Sequence, residues 1–473
     1  MKKMHRQILN HANLLKKYTP QLIYDYTEYP TKGNWDEGFS GEDFGRAFTG
    51  WLANEENCTF YVHTPFCEEL CFFCLCSKEI TQDYSKVENY LYNYLFKELD
   101  LLRNYIESSG KSLNVREIFF GGGSPTYYRP KEFSALIKKL ETVIDFSKIE
   151  RFTVEIDPRR VDSSRLDFYS DMGVNRLSFG IQDFDRQVQE EINRIQPPAL
   201  VSKLLTPTIR EKFPNISFDI LVGLPRQTPA SMRATIAEVV AIAPEEVEPL
   251  YVHYKPGTRR YMTRMVRNVP MPDFFDRKAI YAEIVDGLEA NGYERAGYEN
   301  FARLGSDLSN ALRTGVVTYG STGSQTGKNP TFIAVGSSAH SMFGEYYFQN
   351  YYEQHLYRDA LDQGRMPIYR GMHLSQDDLI RRNIIKFFRT YDRLKKSDFE
   401  ALWGKDFDSY FSNEKSVFSA FASDGLIVDS PEELVVTPLG REFTPRICEL
   451  FDKYARRQLF EVSEPHNLSN SRV

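Results

Sequence analysis

Cysteine is scarce in this chain, with six in 473 residues, too few for the disulfide framework of a small secreted protein. No apolar run approaches the roughly 18–20 residues needed to cross a bilayer, and no internal repeat or low-complexity tract is present. Positive charge is not in excess either. Lys and Arg total 59 against 65 Asp and Glu, a net charge of −6, so the global attraction typical of nucleic-acid binders is missing. What remains is an ordinary globular composition, 41% hydrophobic and 26% charged. It is long enough for one large catalytic domain and something smaller.

The first residues, MKKMHRQILNHANLLKKY, are basic and contain no acid until Asp25. An organelle presequence is one reading. The segment is not Ser- or Arg-rich, however, and Leu9, Leu14 and Leu15 suit one face of a short helix, so a cytoplasmic home is expected.

The few cysteines are crowded. Cys67, Cys71, Cys74 and Cys76 fall within ten residues, with Cys58 just upstream, which suits metal ligation in a reducing compartment. The run C-x3-C-x2-C places three thiolates on one tight loop, enough for three corners of a cubane iron–sulfur cluster. Three ligands instead of four leave one iron open, as catalytic metal sites require. A structural zinc site with Cys76 or His63 as fourth ligand is the competing reading.

β-rich runs recur at 59–63 (TFYVH), 116–120 (REIFF), 152–156 (FTVEI), 176–180 (RLSFG), 217–222 (SFDILV) and 249–254 (PLYVHY). Amphipathic stretches at 87–105, 130–143 and 231–243 separate them. This alternation predicts βα units and a parallel sheet. The unusual residues gather at strand ends: the cysteines after the first strand, Gly121–Gly123 after the second, Glu155 and Asp157 ending the third, Gln182 past the fourth. Functional residues at successive strand C-termini favour a barrel, although open sheets also bind there. After about residue 370 the texture changes: helices at 374–390 and 396–403, a hairpin after Asp424-Gly425, and a helix near Glu442 resemble a winged-helix-like module. The last dozen residues are polar and expected to be loose.

Glycines permit close backbone approach and positive φ, so Gly121–Gly123 read either as a tight turn or as a ligand rim. Glu155, Gln182, Arg194 and Asp219 are each ambiguous alone. Tyr61 and His63 read equally well as site or packing residues.

The stretch 61–76, YVHTPFCEELCFFCLC, resembles the oxygen-independent coproporphyrinogen III oxidase family of radical S-adenosylmethionine (SAM) enzymes. Similar pieces are YTEYPT (26–31), GGGSPTY (121–127), VEIDPR (154–159), NRLSFGIQDF (175–184), FDILVGLPRQT (218–228), ENFAR (299–303), DDLIRR (377–382) and TPLG (437–440). The resemblance implies a partial (β/α) barrel with an N-terminal arm (1–55), a barrel with flanking extension (56–365), and a small C-terminal helical, winged-helix-like domain and tail (366–473). It implies a [4Fe-4S] cluster on Cys67, Cys71 and Cys74, and SAM contacts from Tyr61, Gly122, Gly123, Ser124, Glu155, Gln182, Arg194 and Asp219. Cys76 matches a fourth cysteine that lies at the active site without ligating the cluster, and is the catalytic candidate. The implied activity is an oxidoreductase of haem biosynthesis. A 5′-deoxyadenosyl radical takes hydrogen from a propionate, and loss of CO2 and an electron leaves a vinyl group. A monomer, a second SAM beside the first, a tetrapyrrole substrate and a flavodoxin- or ferredoxin-type electron donor also follow from the resemblance.

Two segments depart from the oxidase pattern. Residues 252–258 (VHYKPGT) look more like the haem-chaperone branch, and 313–332, with GSTGSQTGKNP, replace the stretch expected near the second SAM. A radical enzyme acting on another tetrapyrrole, such as an anaerobic haem-degrading methyltransferase, and a haem chaperone are therefore the alternatives; Cys76 and the 26–31 segment favour an enzyme. Substrate carboxylates need cations, for which Arg381, Arg382 and Lys386 are candidates, against a solvated basic helix face.

Overall fold

A computed structural model describes residues 12–18, 26–327 and 331–455. Leu9 and the polar last dozen residues lie outside them. Among the described residues no helix is long and apolar enough to cross a membrane.

The strands with near-continuous apolar runs form the middle of one sheet. They are β1 (Asn57–Thr64), β2 (Asn114–Gly122), β3 (Arg151–Ile156), β4 (Arg176–Gln182), β5 (Asn215–Val222) and β6 (Glu246–Tyr251). Burial on both faces explains why such strands read as apolar blocks. The chain then adds β7 (Tyr293–Arg295), β8 (Phe301–Arg303) and the separate hairpin β9 (Val317–Gly320) and β10 (Gly323–Thr326). Next come β11 (Phe332–Val335), β12 (His340–Phe343), β13 (Tyr346–Asn350) and β14 (Ile368–His373). The sheet order is β14-β13-β12-β11-β1-β2-β3-β4-β5-β6-β8-β7. It is parallel from β11 through β6 and antiparallel at both margins. Its outermost strands do not pair with each other, so the barrel is incomplete, as expected.

The predicted sixth strand begins three residues early, at Glu246. That acid is buried against Arg176 at 3.0 Å and Asn215 at 2.6 Å, a pairing that hydrophobic patterning cannot reveal. Helices cover the outer face. Pro130–Leu140 starts with proline in its first turn, where the missing N–H costs nothing. Pro229–Ile242 has a capping box between Thr228 and Ser231. The helix expected at 87–105 is a longer rod, 84–109, with a π turn at Leu91–Leu95. It ends at Gly110, whose φ of +65° suits a left-handed cap.

Beyond the sheet, Gln376–Thr390 and Lys396–Trp403 form helices. Three short strands, β15 (Arg393–Lys395), β16 (Ile427–Asp429) and β17 (Glu433–Val436), pair antiparallel in the order β15-β17-β16. This unit has its own apolar core around Ile384, Phe388, Phe411 and Phe451, and Leu15, Tyr18, Tyr26 and Tyr29 from the N-terminal region join that core. The arm continues to Trp35, packed on Tyr347 with ring centroids 5.2 Å apart.

Candidate active site

The tips of β2–β5 and the loop after β1 surround a cavity of about 1020 Å³. Cys67, Cys71, Cys74 and Cys76 line it, together with Gly122, Gly123, Ser124, Glu155, Gln182, Arg194 and Asp219. Of the twelve expected site residues only Tyr61 is not on its wall. Tyr61 lies beneath it instead, its ring 5.9 Å from Phe119 and 5.4 Å from Phe332.

The cysteine loop is held from several sides. Phe72 N–H donates to Ile192 O (3.0 Å) and Asn193 Nδ2 to Leu70 O (2.9 Å). Lys78 Nζ donates to Cys74 O and Cys76 O at 3.2 and 3.3 Å, and the Tyr261 hydroxyl also donates to Cys74 O. Lys78 and Tyr261 carry no sequence signal, since both act through backbone carbonyls.

The glycine run is demanded by close approach. A Cβ at Gly121 would stand 2.7 Å from Glu155 Oε1, one at Gly122 2.6 Å from the His63 ring, and one at Gly123 2.7 Å from Phe66 O. Gly122 also has φ +110°, and its N–H donates to Glu155 Oε2 at 3.1 Å. The run is thus both a tight junction and part of the cavity rim. At the next tip, Gln182 sits in a register shift of β4 with φ +68°. A left-handed non-glycine residue stores strain of the kind found at binding sites.

Charge is divided across the cavity. Burial pushes the Asp157 carboxyl up, but Arg194 and Arg159 outweigh it and leave the pKa at about 2. Arg159 Nη2 lies 2.7 Å and Arg194 Nη1 3.4 Å from Asp157 Oδ2. The same two guanidinium groups approach Cys71 Sγ at 3.8 and 3.6 Å. Opposite them, burial and then the neighbouring Asp219 charge raise Glu155 to about 8. Burial raises Asp219 to about 7, against Arg194 and a hydrogen bond from Ser178. Arg159 and Ser178 line the cavity and were not singled out from sequence, while Asp157, also on the wall, was named only as a strand-end residue. Arg159 ends the VEIDPR segment, and Ser178 shares the inward face of β4 by alternation.

The donor set fits a cubane cluster. Three thiols on one loop face a common cavity, and two cations stand at Cys71, where a thiolate would need them. A cubane takes each thiolate on a different iron, so its ligands encircle a body instead of meeting at a point. Among the described residues no three His, Cys, Asp or Glu side chains converge as one metal ion requires. His63, the alternative fourth ligand, uses Nε2 on Ser77 O (2.9 Å), and burial lowers its pKa to about 4. It is a satisfied core histidine.

The helix-borne cations expected to meet substrate do not lie on a solvated face. Arg381 is taken up by Asp377 and Glu414, both at 3.0 Å, because it points into the C-terminal core. Lys386 is also buried.

The radical SAM superfamily model matches residues 61–239, and the HemN C-terminal domain model matches 374–443. The chain is 31% identical to an oxygen-independent coproporphyrinogen III oxidase of Pseudomonas aeruginosa over 449 residues, 94% of this chain and 95% of that one. Its counterpart in Escherichia coli is 32% identical over 433 residues, covering 92% and 93%. The solved Escherichia coli coproporphyrinogen III oxidase, a radical SAM enzyme, superposes with a TM-score of 0.84 at 31% identity, over 92% of this chain and all of that one. The chain therefore belongs to the oxygen-independent coproporphyrinogen III oxidase family of the radical SAM superfamily.

Proposed function

We propose that this protein oxidatively decarboxylates the propionates of coproporphyrinogen III to vinyl groups. The reading rests on one observation above all: the cysteine loop, the glycine rim and the polar strand tips share a single cavity. In this reading Cys67, Cys71 and Cys74 hold a [4Fe-4S] cluster and leave one iron for SAM. When bound there, the cluster and SAM would supply the radical chemistry, a 5′-deoxyadenosyl radical able to take a hydrogen atom from a propionate side chain. With the hydrogen carried off as 5′-deoxyadenosine, the substrate radical would lose CO2 and pass one electron to an external one-electron acceptor, and the two remaining carbons would become a vinyl group.

The protein's own part is orientation and shielding. Arg194, with Arg159 beside it, presents positive charge suited to the SAM carboxylate. Gly122, Gly123 and Ser124 offer the close backbone approach that an extended cofactor needs. Glu155, Gln182 and Asp219 supply acceptors for an amino group and ribose hydroxyls. Tyr61 supports the floor of the site, and Cys76, exposed at its edge, is the side chain assigned to the substrate's side. In this reading the described parts of the arm (within 1–55) and of the C-terminal unit (within 366–473) cover the barrel (within 56–365) and keep water away from the radical. A monomer in the cytoplasm, a second SAM, and a flavodoxin- or ferredoxin-type electron donor complete the assignment.

The test is anaerobic. The cluster is reconstituted, reductant, SAM and coproporphyrinogen III are added, and the products are weighed by mass spectrometry. Stepwise loss of two CO2 is expected. Deoxyadenosine formed beside untouched porphyrinogen, with haem consumed in a parallel reaction, would reassign the substrate.

A further inference from the structure

The helix Gln376–Thr390 sends four cations into or along the protein interior, and they meet different fates. Arg381 is paired with Asp377 and Glu414, and Arg389 with Glu299. Arg382 and Lys386 have no carboxylate within ion-pair distance among the described residues. Arg382 Nη1 reaches only the Tyr347 hydroxyl, at 3.5 Å, and its Nε is buried without a partner. Lys386 is 6% exposed and makes no hydrogen bond among the described residues. Burial and the nearby Arg382 draw its pKa down to about 7, with Glu28 opposing them.

These two cations stand one helical turn apart, on the same face, where like charges repel. A buried charge without a partner costs still more. The element facing them does not supply the deficit. From the arm come Glu28 and Lys32, 3.5 Å apart, and Glu28 also accepts from Thr27 at 2.6 Å. Three cations thus share one carboxylate that is already engaged. His340, which feels both Lys32 and Glu28, is held neutral by burial and hydrogen-bonded to Ser321 at 3.1 Å.

The cluster is also connected to the reacting end of the molecule. The His340 ring lies 6.0 Å from Phe332, and Phe332 lies 5.4 Å from Tyr61. Tyr61 in turn feels the charges of Glu155 and Cys76. A chain of rings, Tyr61, Phe332 and His340, therefore runs from beneath the cysteine cavity toward the cationic cluster. A tetrapyrrole carries several carboxylates around its rim, so one can react while another is held elsewhere.

We propose that Arg382, Lys386 and Lys32 bind a propionate carboxylate of the substrate, one other than the propionate being processed, and so orient the macrocycle. This rests on the reading of the substrate as a propionate-bearing tetrapyrrole. An incoming carboxylate would neutralise the excess charge and fill the missing hydrogen bonds.

The test uses the reconstituted, SAM-loaded enzyme and oxidised coproporphyrin III as an unreactive probe, with affinity read from fluorescence. Lys386→Met and, separately, Arg382→Gln and Lys32→Gln should each weaken binding about tenfold or more and raise KM for coproporphyrinogen III in step. The loss should fall mainly on KM and less on kcat, a split that separates substrate positioning from damage to the radical centre. Lys386→Arg should retain binding. Lys386→Met should also raise the melting temperature, because it removes an unpaired buried charge. Unchanged affinity in all three neutral variants, or no binding by the wild type, overturns the site. Wild-type binding without vinyl product would instead overturn the proposed reaction and leave this site standing.

Discussion

On one wall of the strand-tip cavity Asp157 lies between Arg159 and Arg194, its carboxyl held at a pKa of about 2. On the other wall Glu155, two residues earlier on the same strand tip, has Asp219 as its chief charged neighbour and is held at about 8. Both are partly buried acids in one cavity, so burial alone does not separate them. The guanidinium groups do, and what they create is a site with an ionised, cation-lined side next to Cys71 and a protonated side beneath the glycine rim. The first side suits a carboxylate and anionic sulfur; the second suits donors that a neutral carboxyl can serve.

The largest expected effect tests whether the cation-lined side serves a metal at all. Serine at Cys67, Cys71 or Cys74 should each abolish cluster assembly, read as iron and sulfide content and visible absorption, and with it all SAM cleavage. Cys76→Ser should keep the iron and lose vinyl formation. Equal loss of iron in all four would make Cys76 a ligand and remove the division of labour.

Next in size is Arg194→Met. Arg194 is 8% exposed and bonded to Gly180 O at 2.8 Å and Gln196 Oε1 at 3.0 Å, besides facing Asp157 and Cys71. Removing one member of a buried charge set leaves the other uncompensated, so a loss of about 3–5 kcal/mol in urea unfolding is expected. A loss below about 1 kcal/mol would mean that Arg159 alone balances Asp157.

Much of this arrangement is legible in the sequence, and the rest is not, for a physical reason. The six β-rich blocks announce the sheet because buried parallel strands are apolar on both faces. The C-x3-C-x2-C spacing is local, as are the glycine run and the Glu155-x-Asp157 alternation that sends both acids to one side. The opposite character of those two acids is not local. It depends on Arg194, delivered 37 residues after Asp157 by a loop containing the left-handed Asn193, and no spacing rule anticipates that. The sense of the helix at 376–390 is hidden likewise. Arg381 and Arg382 look alike in sequence, each with an acid four residues earlier. Yet Asp377 together with Glu414 from across the C-terminal core takes up Arg381, while Arg382 has no carboxylate within ion-pair distance among the described residues.

Glu155→Gln sharpens the contrast on the protonated wall. With its folded pKa raised above the unfolded 4.5, the native state binds the extra proton, so wild-type stability falls as pH climbs from about 4.5 to 8. Glutamine keeps an acceptor for Gly122 N–H without the proton requirement. The metal-free variant should therefore match wild type near pH 4 and exceed it by about 3 kcal/mol at pH 7, while losing SAM cleavage. Stability gained with activity lost is the signature of an acid kept for function.

Asp157→Asn is the mirror experiment and the smallest effect. A folded pKa of about 2 against an unfolded 3.8 favours the carboxylate. Its stabilisation is complete above about pH 4 and disappears as pH falls toward 2. Asparagine should cost the metal-free protein about 2 kcal/mol from titration alone at pH 6 and under about 0.5 kcal/mol at pH 2. Urea unfolding from pH 2 to 9 on both variants then gives two difference curves of opposite sign, one developing below pH 4 and the other above pH 4.5. Curves of the same sign would show that the guanidinium groups do not discriminate between these acids. Arg159 and Arg194 would then have to be assigned to the cysteine sulfurs alone.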